Sequence, residues 1–119
     1  MKKILFETHH LYYLPNFLPI IDLLRLKGGY EIFVSMPQYM QERERDLFYN
    51  AANDIGLELI KTELEEDRIE NIKSKNFDVI IVGNVGQLTK IVSESTIAVM
   101  VYHGIGLKQS YYNDIDSRI

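Results

Sequence analysis

Five short apolar runs recur along this chain, separated by segments of helical spacing, and that alternation restricts the fold more than any other feature. Lys3–Thr8 (KILFET), Tyr30–Ser35 (YEIFVS), Leu57–Thr62 (LELIKT), Phe77–Val82 (FDVIIV) and Ile97–Tyr102 (IAVMVY) read as strands. The fourth and fifth are nearly continuous apolar runs, which predicts strands covered on both faces. The third alternates more and is expected nearer an edge.

The segments between them carry helix signals. Pro15–Lys27 presents Phe17, Ile20, Ile21 and Leu24 on one side and stops at Gly28-Gly29, with Pro19 placed in or near the first turn. Ser35 and Gln38 have capping-box spacing before a helix over Gln38–Asp54, and Thr62 and Glu65 have the same spacing before Glu63–Lys75. A short helix is expected over Val85–Ser93. Gln41–Asp46 (QERERD) reads as the solvated face of the second helix. Five strands with right-handed helical crossovers give a mostly parallel sheet covered on both faces, an α/β Rossmann-like three-layer sandwich with strand order 3-2-1-4-5.

Size and charge narrow the function. At 119 residues the chain is one domain. A net charge of −4 supplies no general positive field for nucleic acid, and none is expected as a partner. The chain has no cysteine, which removes disulfides, thiolate metal sites and thiol catalysis and makes cytoplasm the default compartment. The apolar stretch of MKKILFETHH stops at Glu7, too early for a signal peptide, and no run is long enough to span a membrane. After the fifth strand, Gly104–Ile119 holds no complete covering helix. Residues 1–119 are therefore expected to be a single Rossmann-like domain taken from a longer enzyme.

In a parallel sheet ligands gather beyond the carboxyl ends of the strands. Those ends are Thr8-His9-His10, Ser35-Met36, Thr62, Gly83-Asn84 and His103-Gly104, so all three histidines fall on one edge. The run from His103 to Lys108 (HGIGLK) is the strongest local candidate. An imidazole at a strand end suits a general base. Gly104 and Gly106 let the backbone turn and approach a ligand, and Lys108 offers a point charge for phosphate. The competing reading has His103 packed beside the sheet and the glycines making an ordinary turn.

Other motifs are excluded or weak. The run lacks the third glycine of a dinucleotide fingerprint and follows the wrong strand, and no GxxxxGK[ST] occurs. A receiver domain would need clustered acidic residues after the first strand and an aspartate ending the third, where Thr62 stands. His9 and His10, being adjacent, point to opposite sides and make a poor chelating pair, so no metal site is expected. One of them is expected to line the cleft while the other fixes the loop. Tyr12 and Tyr13 read as loop packing, and Tyr111-Tyr112-Asn113-Asp114 as packing, a lid or a helix start.

The segment HGIGLKQSYYNDIDSRI at His103–Ile119 resembles the CDP-glycerol glycerophosphotransferases, the teichoic-acid primases and polymerases of cell-wall synthesis. The motif covers that short stretch, and the rest of the chain agrees in layout. Polymerase members often read HGTPLK-like where this chain has Gly106 after Ile105. The resemblance implies the N-terminal, acceptor-side half of a GT-B-like enzyme. That enzyme moves glycerol phosphate from CDP-glycerol to a hydroxyl of a teichoic-acid-like or lipid-linked acceptor and releases CMP. His103 is then the base. Gly104, Gly106, Lys108, His9 and Asn84 are the candidate substrate- or phosphate-binding residues, and no cofactor is called for. The donor site lies mostly in a C-terminal domain outside this chain, so the 119 residues alone are expected to be inactive. The enzyme is expected in the cytoplasm, with peripheral contact at the inner face of the membrane. Three other readings stay open: a stand-alone module binding a phosphorylated small molecule, a related GT-B glycosyltransferase domain, and a docking or dimerisation domain.

Overall fold

The computed structural model describes residues 1–11, 13–83 and 88–101. Its elements run β1 (Lys2–Glu7), α1 (Tyr13–Lys27), β2 (Tyr30–Ser35), α2 (Glu42–Asp54), β3 (Glu58–Ile60), α3 (Glu65–Lys75), β4 (Val79–Val82), α4 (Leu88–Ile91) and β5 (Ile97–Met100). The five strands form one all-parallel sheet in the order β3-β2-β1-β4-β5. This is the Rossmann-like α/β fold read from the alternation of runs. Edge strand β3 is only three residues long.

Side-chain alternation along the strands sorts the core into two layers. Ile4, Phe6, Ile32, Val34 and Ile81 pack with Phe17 and Ile21 of α1 and Phe48 and Ala52 of α2. Leu5, Phe33, Ile80 and Val82 point the other way, onto Ile72 of α3 and Leu88 and Ile91 of α4. Crossovers of one hand require this division. The chain steps outward from β1 through β2 to β3, then returns past β1 to β4, and the reversal moves the later helices to the opposite face.

The helix ends differ from the sequence expectation in instructive ways. Helix α1 starts at Tyr13, so Pro19 sits inside it rather than in its first turn. Pro15 and Pro19 are both exposed, so the helix bond that Pro19 cannot donate is missing on the surface side of α1. The stop at Gly28-Gly29 holds: both have positive φ (76° and 84°), and the Gly28 N–H donates to the Leu24 carbonyl at 3.0 Å. Neither capping box forms. The residue before α2 is Gln41 and the one before α3 is Leu64, both without a side-chain cap. Thr62 Oγ1 donates instead to the Leu64 carbonyl at 2.9 Å, and Ser35 and Glu65 are engaged elsewhere.

Strand β5 is also corrected. It is the second edge, and Ile97 is 63% exposed, with Val99 exposed as well. Its register beside Val79 and Ile81 turns these two residues to the α1–α2 face, while Met100 reaches the opposite core. Helices α1 and α2 cover the β1–β3 side of their face, which leaves Ile97 and Val99 open among the described residues.

Candidate functional site

The parallel register lines up one row of residues at the carboxyl end of the sheet: Ile60, Ser35, Glu7, Val82 and Met100. The two central members are polar and fully buried. They point to the face of α3, as alternation from Leu5 and Phe33 requires. Arg68, in the first turn of α3 and itself 0% exposed, meets them there.

Arg68 is fully engaged with these groups. Its Nη1 donates to Glu7 Oε1 and Oε2 at 2.7 and 3.0 Å and to Ser35 Oγ at 3.2 Å. Its Nε and Nη2 form a fork on Glu65, at 2.8 Å to Oε1 and 2.6 Å to Oε2. The Ser35 hydroxyl donates to Glu7 Oε1 at 2.6 Å, and the Gln38 backbone N–H donates to Glu65 Oε1 at 2.7 Å. One guanidinium thus joins β1, β2, the segment before α2, and α3.

The charges respond to this setting. Burial pushes the Glu7 carboxyl up from its ordinary value, against the pull of Arg68 and Ser35. Burial alone would also raise Glu65, but the Arg68 fork and the Gln38 N–H outweigh it and hold that carboxyl low. Burial likewise works against the Arg68 cation, and the bonds to Glu65 and Glu7 more than offset it. Two carboxyl groups share a single guanidinium that is sealed from solvent. Arg68 therefore has no free face to offer a phosphate.

The two histidines after β1 stand in a bend rather than in extended chain and have different surroundings. His10 goes to the α1–α2 side, with Nδ1 3.5 Å from Glu44 Oε1 and its ring edge-on to Tyr13. Glu44 also accepts the Leu11 backbone N–H at 2.8 Å, which fixes the loop entering α1. The QERERD run is accordingly not wholly solvated, since Glu44 and Arg45 are half-buried and Arg45 Nε donates to the Met40 carbonyl at 3.0 Å. His9 is only 3% exposed, and neither ring nitrogen has a hydrogen-bond partner among the described residues. Burial, with added repulsion from Arg68 and His10, lowers its pKa to about 4, against the opposing pull of Glu65. The ring is neutral at physiological pH, with one donor and one acceptor unused.

Of the residues given a base or substrate-binding role from sequence, His9 alone falls within the described part of the chain. Asn84, His103, Gly104, Gly106 and Lys108 lie outside it, as do Tyr12 and the Tyr111–Asp114 run. Tyr13 is buried core, and Gly83 explains part of its fit. A Cβ on Gly83 would stand 2.9 Å from Tyr13 Cδ2, so the ring lies directly against the backbone that follows β4. Sequence reasoning placed Ser35 on this edge and read Ser35 and Glu65 as caps, but it gave no role to Glu7 or Arg68 and did not join the four. One signal was present: Arg68 is four residues before Ile72 and so shares the inward stripe of an otherwise polar helix.

Two surface hollows, of about 200 and 300 Å³, sit at the opposite, amino edge. The first is lined by Arg25, Glu31 and Glu58 among others, the second by Lys2, Asp78 and Ile97 among others. No group of three His, Asp or Glu placed to hold a metal ion occurs among the described residues, and no helix there is long and apolar enough to cross a membrane. The chain matches no family model, no curated protein and no solved structure.

Proposed function

We propose that this chain is the acceptor-side domain of a GT-B-like transferase that moves glycerol phosphate from CDP-glycerol to a hydroxyl of a teichoic-acid-like or lipid-linked acceptor. The observation that carries the reading is His9. A buried, neutral imidazole with both nitrogens unused stands at the carboxyl end of β1, beside the point where the strand order reverses. Ligands of open parallel sheets bind there. The sequence from His103 to Lys108 follows β5 and supplies the remaining chemistry in this reading.

The acceptor oxygen attacks the phosphorus that carries glycerol and gives its proton to the His103 imidazole. A new P–O bond forms to the acceptor. The bond from that phosphorus to the bridging oxygen breaks, and CMP leaves with the electron pair. A base in this position contributes about 10²- to 10⁴-fold to the rate, while positive charge and N–H donors around the phosphate supply much of the remainder. The enzyme works in the cytoplasm and meets the membrane surface only where a lipid-linked acceptor requires it.

The test is CMP release from CDP-glycerol by the gene product that carries this chain, with a glycerol phosphate oligomer as acceptor. His103→Ala is expected to lower the rate by about 100-fold or more with the circular dichroism spectrum unchanged. An unchanged rate removes His103 as the base, and absence of CMP release from the unaltered protein removes the transferase reading.

A further inference from the structure

The chemistry around His9 says which kind of ligand group belongs there. Its ring is 3% exposed and both nitrogens lack partners among the described residues, an arrangement that costs free energy unless something fills it. The same edge holds Glu7 and Glu65, and Arg68 beside them, the cation bonded to both among the described residues, turns its donors to those two carboxylates and to Ser35. A phosphate brought to His9 would approach Glu65 without a free guanidinium to offset it, and would shed its hydration in an enclosed place. A hydroxyl has one donor and two lone pairs and carries no charge, which complements a neutral imidazole atom for atom.

We propose that His9 recognises an uncharged hydroxyl of the ligand and that the Glu7–Arg68–Glu65 assembly beside it discriminates against phosphate at that position. This deepens the transferase reading by assigning His9 to the hydroxyl-bearing part of a ligand rather than to its phosphate. His10 is a built-in control, since it faces Glu44 on the other side of the loop.

The experiment is an NMR titration of the histidine ring nitrogens in the 119-residue chain, with glycerol as one probe and inorganic phosphate as the other. Glycerol is expected to shift both His9 nitrogens saturably while leaving those of His10 in place, and phosphate is expected to leave His9 unmoved. In His9→Phe, the glycerol response at the neighbouring Thr8 amide is expected to disappear. Should that variant fail to fold, the two titrations of the unaltered chain decide alone. Shifts of His9 with phosphate, or no response to glycerol, overturn the proposal. Phosphate at His9 in a protein that still releases CMP sinks this inference alone. A glycerol response without CMP release sinks only the transferase reading.

Discussion

The two faces of the sheet are built alike up to their carboxyl ends and then part company. On the α1–α2 face the apolar layer continues past the strands through Met36, Tyr13 and Leu14, all buried. On the α3–α4 face the layer of Leu5, Phe33 and Ile80 gives way one step later to Glu7, Ser35 and Arg68, buried just as deeply. One face is closed by shape, the other by charge. The buried polar groups stand beside the point where the strand order reverses, the place such folds use for ligands.

The largest expected effect tests the charged face. Arg68→Met leaves Glu7 and Glu65 without their cation and is expected to cost about 3–5 kcal/mol in urea unfolding. A neutral or stabilising result would mean that the charged layer contributes no more than an apolar one of similar volume. Acid comes next. His9 has a pKa of about 4 in the fold against an ordinary 6.5, so the unfolded chain binds the proton more readily. Its contribution is intact above pH 6.5 and is lost as pH falls toward 4, amounting to about 3 kcal/mol over that window. In His9→Phe that part of the pH dependence is expected to vanish from unfolding curves. The smallest effect tests the other face. Gly83→Ala drives a methyl group into the Tyr13 ring and is expected to cost about 1–3 kcal/mol, read as a drop in the urea midpoint. Pairing it with Tyr13→Leu should recover part of that loss, because the contact is one of shape alone.

The strands and their order were legible because short apolar runs bounded by turn residues alternate with longer segments of 3.6-residue period, and crossovers of one hand leave few orders for such an alternation. Tyr30–Ser35 matches residue for residue, and α1, α2 and α3 share their last residues with the sequence reading. The starts of α2 and α3 were not legible. Ser35, Thr62 and Glu65 have the right spacing for caps, but Ser35 and Glu65 bond Glu7 and Arg68, partners 28 and three residues away, and spacing carries no information about such competition. Arg68 was hidden for a related reason. In EEDRIENIKSK it reads as one more solvated charge, and only the folded sheet brings Glu7 to it across 61 residues. For β5, an apolar run gave the strand correctly but not its exposure, since coverage is a property of the neighbouring helices.

The Gln38 amide donates to Glu65 Oε1, while Arg68 of the same helical turn clasps both oxygens of that carboxylate. The backbone that leaves β2 is therefore tied to α3 at Gln38 and to α2 at Met40, whose carbonyl accepts from Arg45 Nε. Loosening the first turn of α3 frees only one of these two ties, so the rim above the strand ends keeps its anchor on α2.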